Sequence, residues 1–109
     1  VPVNGRSVDT GLSFFGAVIG DHVKTGINTA LPTGSVVGYA ASLFTTRHPP
    51  KFVHSFSWIT DGGASVNDPA RALAVARKVA ARRNRTLSLA EELLFLRIFE
   101  ESRRYEGPA

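Results

Sequence analysis

Aliphatic and β-branched residues return at every sixth position through the middle of the chain. Read in sixes from Ile19, the sequence runs IGDHVK, TGINTA, LPTGSV, VGYAAS, LF. The first place holds Ile19, Thr25, Leu31, Val37 and Leu43. The second holds Gly20, Gly26, Pro32 and Gly38, and the fifth holds Val23, Thr29, Ser35 and Ala41. A period of six fits neither a helix, at about 3.6, nor a simple strand, at 2. It is the hexapeptide period of a parallel β-helix, in which three short strands make one triangular coil of roughly eighteen residues. The first-place side chain would fill the core, the fifth must be small, and Gly or Pro serves the turns. Two ordinary strands with Gly-rich turns are the plainer alternative. The repeat covers about one and a half coils, too few to be stable alone. Further coils before Val1, or neighbouring chains, are therefore expected to pack on it.

The flanks read differently. In residues 1–16, Asn4-Gly5 between extended residues predicts a hairpin excursion, with Leu12, Phe14 and Phe15 bringing the chain back to the core. The coils take residues 17–44. In residues 45–66 the period is lost. Pro49-Pro50 imposes extended backbone, and Phe52, His54, Phe56 and Trp58 then alternate with other residues to give one aromatic face. Residues 67–106 read as two helices. Asn67 or Asp68 caps the first, with Pro69 in its first turn. Its apolar stripe is Leu73, Ala76, Val79 and Ala80, and Arg71, Lys78, Arg82 and Arg85 form its solvated face. Ser88-Leu89-Ala90-Glu91 is a capping box for the second helix. Leu89, Leu93, Leu96 and Phe99 run down that helix, widened by Leu94, Phe95 and Ile98, and Gly107-Pro108 ends it. So broad an apolar face should meet both the first helix and something else. The expected fold is mainly β with C-terminal α: a left-handed parallel β-helix, last coils only, preceded by a hairpin and followed by two packed helices.

Composition narrows the function classes. The chain has 109 residues, 43% hydrophobic and 20% charged, which sets one small domain. It has no Cys, so disulfides and thiolate metal sites are excluded. The absence of Met and the start at Val1 suggest the C-terminal part of a longer chain. The net charge of +4 is concentrated, with six basic residues between Arg71 and Arg85. A nucleic-acid surface is disfavoured, because no aromatics are interleaved and five acids follow between Glu91 and Glu106. No apolar run reaches membrane-spanning length. Asn84-Arg85-Thr86 fits a glycosylation sequon, which is discounted without a secretion signal.

The run VNGRSVDTGLSFFGAVIGDHVKTGINTALPTGSVVG resembles the C-terminal β-helix of bacterial sugar-1-phosphate nucleotidylyltransferases. The related bifunctional family is N-acetylglucosamine-1-phosphate uridylyltransferase/glucosamine-1-phosphate acetyltransferase. KFVHSFSW (residues 51–58) and the two terminal helices look like a subgroup of nucleotidylyltransferase-like proteins. The resemblance implies a left-handed coil, a homotrimer, a cytoplasmic place in sugar-nucleotide metabolism, and sugar phosphate and acyl-coenzyme A as ligands. Mg²⁺ and a nucleoside triphosphate would belong to an N-terminal domain outside these residues. The chain itself would hold no cofactor, apart from acetyl-coenzyme A if acyl transfer operates. A non-catalytic trimerisation module is the alternative.

Hexapeptide acyltransferases use a His as the base that deprotonates the acceptor, with backbone N–H groups holding the oxyanion. Here the candidate bases are His22 and His54. Lys24, Asn28, Arg47, His48 and Lys51 are candidates for the substrate and acyl-coenzyme A groove. His22 and Asn28 hold the fourth place of their sixes and Lys24 the sixth, so all three are expected to point outward. The surroundings of His22 match the family's base poorly. No two His have a zinc-ligand spacing, and Lys24-Thr25 lacks the Gly-Lys-Ser/Thr order of a phosphate loop.

Overall fold

The computed structural model describes residues 1–12 and 15–106. The expectations for Phe14 and for Gly107-Pro108 fall outside the described residues. At the N-terminus Asn4 (φ 46°) and Gly5 (φ 81°) are both left-handed. They turn β1 (Pro2–Val3) back antiparallel on β2 (Arg6–Ser7), as Asn-Gly predicts. Leu12 does not return to the core: it is 63% exposed.

Two parallel ladders follow, in step with each other. Strands β3 (Ala17–Ile19), β5 (Ser35–Val37) and β7 (Phe52–Val53) form one sheet. Strands β4 (Lys24–Thr25), β6 (Ser42–Phe44) and β8 (Ser57–Thr60) form the other, and β9 (Gly63–Val66) adds to β8 antiparallel. Ala17 pairs with Ser35 and Lys24 with Ser42, both eighteen residues on. Val36 pairs with Phe52 and Ser42 with Trp58, both sixteen on. Val37, Ala41, Leu43, Val53 and Ile59 form the core shared by the two sheets, with Val23 and Leu31 packed against it.

This arrangement corrects the expected left-handed parallel β-helix. Among the described residues the strands form three separate sheets, parallel and antiparallel, and none of them closes on itself. A hexapeptide coil needs three strands in each eighteen residues. Here two form, and residues 26–34 make turns instead. Asn28 (φ 60°) and Gly34 (φ 78°) are left-handed, the Thr29 hydroxyl donates to the Gly26 carbonyl, and Ser35 N–H turns back on the Pro32 carbonyl. Pro32 itself has no N–H to give a ladder. The step then shortens to sixteen, and β9 reverses direction.

The aromatic face expected along residues 52–58 is also broken, because Phe56 is left-handed (φ 58°) and separates β7 from β8. Phe52 stays beside His54, Phe56 is fully buried, and Trp58 turns to Phe44. Residues 52–60 extend both ladders.

The helices start where their caps predict. The Asp68 carboxylate accepts from Ala70 N–H at the start of α1 (Pro69–Ala81). Ser88 and Glu91 complete the capping box of α2 (Leu89–Tyr105). Ala72, Leu73 and Ala76 of α1 meet Phe95 of α2 over Phe56 and Ala40, with Tyr39, Leu87, Ile98 and Phe99 around them. The buried stripe of α2 therefore passes through Phe95 and Phe99, while Leu89, Leu93, Leu94 and Leu96 are exposed. The end of α2 is tied to the strands, where Ser55 N–H donates to the Glu106 carboxylate at 3.0 Å. Among the described residues no helix is long and apolar enough to cross a membrane.

Candidate ligand-binding site

Lys24, Ser42, Trp58 and Ser65 are direct partners across β4, β6, β8 and β9. Side chains alternate along a strand, so the next row turns Leu43 and Ile59 into the core while this row faces away from it. The row forms one wall of a cleft of about 740 Å³. The opposite wall is the start of α1, with Asn67, Asp68, Arg71 and Val75; His22 and Phe95 close one end. That volume lies within the range of ordinary small-molecule sites.

His22 reaches the cleft because its backbone is left-handed (φ 60°). Its ring stands edge-to-face against Tyr39 and Phe95, with centroids 5.4 and 5.3 Å away. It is half-buried rather than pointing out into solvent as its place in the repeat suggests. Burial first, and then Lys24, push its pKa below the usual imidazole value, although Asp21 and Glu91 pull the other way. The ring is therefore neutral at pH 7 and can accept a proton. Burial also lowers the pKa of Lys24, whose ammonium donates to the His22 carbonyl at 3.3 Å. Tyr39 is pushed up by burial and by Asp21.

The cations of the cleft are not neutralised by ion pairs. Among the described residues the ion pairs are Arg77 with Glu92 and Arg97 with Glu100 and Glu101, so Lys24 and Arg71 have none. Asp68 is the one acid among the described lining residues, and it is engaged as the cap of α1. At the other end Phe44 and Trp58 lie 5.2 Å apart, each about two-fifths exposed.

Of the residues singled out from the sequence, the cleft brings together His22 and Lys24. Asn28 sits exposed on a left-handed turn. Arg47 and His48 are exposed on the loop after β6, and Lys51 borders a separate shallow recess beside Val8 and Asp9. His54 packs edge-to-face on Phe52 at 4.9 Å, away from the cleft. From the sequence, Arg71 reads as part of a solvated helix face and Trp58 as part of an aromatic strand face. Their meeting in the cleft depends on the fold of β8 and β9 back toward α1, which no local motif announces. Among the described residues no cluster of His, Asp or Glu could hold a metal ion. No family model, curated protein or solved structure matches the chain.

Proposed function

We propose that the chain is the ligand-binding and acyl-transfer module of a sugar-phosphate nucleotidylyltransferase/acyltransferase-type protein of sugar-nucleotide metabolism, with the His22 cleft as its site. The convergence of His22, Lys24 and Arg71 on one cleft carries this reading, and the resemblance of residues 3–38 to that family supports it. Lys24 and Arg71 would seat the phosphate of an amino-sugar phosphate. The neutral His22 ring would take the proton of the acceptor amine as its nitrogen attacks the thioester carbonyl of acetyl-coenzyme A. The new C–N bond forms, the C–S bond breaks, and the thiolate leaves with the proton returned to it. Calorimetry with glucosamine 1-phosphate, followed by turnover with acetyl-coenzyme A, tests it. Binding weakened by Lys24→Ala, with turnover lost in His22→Asn, is the expected result. No binding and no turnover would sink the proposal.

A second reading is a homotrimeric assembly module. It is favoured by β3 and β4, the outer strands of their sheets, beside which Val18, Ile19 and Ile27 are exposed. Open apolar edges of this kind invite strand pairing or stacking. Light scattering that gives three chains, reduced to one by Val18→Lys, is the expected outcome. A monomer at millimolar concentration rejects it.

A further inference from the structure

We infer that the cleft takes a nucleoside phosphate, with the base against Phe44 and Trp58 and the phosphates between Lys24 and Arg71. This deepens the reading of the cleft as a ligand site and rests on it. A sugar phosphate uses only the cationic end. The other end is an aromatic pair that the fold leaves open: both rings line the cleft and each is about two-fifths exposed. Large apolar rings without a covering partner are costly in water, and a planar base offers them a matching face. The row Lys24–Ser42–Trp58 spans three adjacent strands. At about 4.8 Å per strand the backbone positions of Lys24 and Trp58 are roughly 10 Å apart, a span of the order of that from a base to its phosphates. Ser42, which stands between them in the row, offers a hydroxyl to the ribose. Arg71 faces this row from the first turns of α1.

The chain has a single tryptophan, so its fluorescence reports on the aromatic end directly. The intact chain is titrated with ADP, UDP, pyrophosphate and glucosamine 1-phosphate while Trp58 emission is followed, and affinities are taken in parallel by calorimetry. A nucleoside diphosphate is expected to quench Trp58 and to bind at least about tenfold tighter than pyrophosphate, the gain one stacked base supplies. Comparing ADP with UDP then shows whether a purine or a pyrimidine is preferred. Lys24→Ala and Arg71→Ala should each weaken binding. Trp58→Leu should erase the advantage over pyrophosphate while leaving pyrophosphate binding intact. Phe44→Leu, with unchanged circular dichroism, serves if the tryptophan variant does not fold. If pyrophosphate and glucosamine 1-phosphate bind as tightly as the nucleotides, the nucleoside assignment is overturned and the sugar-phosphate reading survives. If none of the four binds, both fall.

Discussion

Between the two parallel ladders the core is built from small and aliphatic side chains; beneath the helices it is built from rings. In the ladders Val37, Ala41, Leu43, Val53 and Ile59 fill the space, with Ser35 and Ser57 buried beside them. Under the helices Phe56 meets Phe95 and Phe99 edge-to-face, with centroids 5.3 and 5.1 Å away, and Tyr39 joins Phe95 at 5.4 Å. The difference follows from what sets the spacing. Hydrogen bonds fix adjacent strands at about 4.8 Å, so side chains there must fit a gap that the backbone dictates. Two helices can slide until their side chains fit, so large rings set the gap themselves. The ladders should therefore be intolerant of added atoms, and the helical half intolerant of lost ones.

Removing a ring is the largest expected effect. Phe95 is 1% exposed and touches His22, Tyr39 and Phe56. Phe95→Ala should cost about 3–5 kcal/mol, a large share of the roughly 5–15 kcal/mol that holds a domain of this size. The urea midpoint reads it. A loss below about 1 kcal/mol would show that the strands hold without the rings, and the contrast between the halves would collapse. Adding one methyl is the matching test in the ladders. A Cβ on Gly38 would crowd the Ser55 nitrogen, lie 2.6 Å from its Oγ and 2.7 Å from its Cα, so even if the hydroxyl swings away the clash with backbone remains. Gly38→Ala should reach the upper end of the about 1–3 kcal/mol typical of overpacking. A neutral result would mean that the layers can part.

The same contrast explains which parts of the fold could be read in the sequence. Caps and turns are local, so Asn4-Gly5, Asp68 and the Ser88–Glu91 box stand where their residues place them. The period of six correctly marks a spacing of eighteen residues between Ala17 and Ser35, yet it does not give the number of strands in that interval. Pro32 and the left-handed Asn28 remove the third. The sixteen-residue step to Phe52 and Trp58 carries no six-residue pattern, so those strands read only as extended chain. In α2 the four leucines outweigh Phe95 on any apolar count. The ring is buried because Phe56 and Tyr39 wait beneath it, and that is a long-range fact. The cleft was half legible. His22 and Lys24 share one six, whereas Arg71 and Trp58 belong to segments that only the tertiary fold brings together.

A helix cap tests whether the helical half depends on its rings alone. The Ser88 hydroxyl accepts from Glu91 N–H at 3.1 Å at the start of α2. Ser88→Ala should cost about 1 kcal/mol, lowering Tm by about 4–8 °C in a chain this small. Ser88→Asp, which can still accept that bond, should restore most of it. A larger loss would mean that the α2 start is more than a terminus and helps to hold the packing of Phe95.

His22 gives the smallest effect and the sharpest test, because it stands where the two halves meet. It lies two residues before β4, and its ring packs on Tyr39 and on Phe95 of α2. Its folded pKa is depressed below 6.5, by burial first and by Lys24 second, against the pull of Asp21 and Glu91. Below the unfolded value the unfolded chain therefore binds more protons than the folded one, and stability falls as pH falls. The contribution is whole above about pH 6.5 and is lost as the solution becomes more acid, until the folded His22 is protonated too. His22→Asn removes the titrating ring and keeps a residue that tolerates the left-handed backbone. Tm measured from pH 7.5 down to pH 5 should decline less steeply in that variant than in the parent. Equal slopes would mean that protonation costs the ring nothing, and that His22 belongs to the solvent rather than to the junction of ladder and helix.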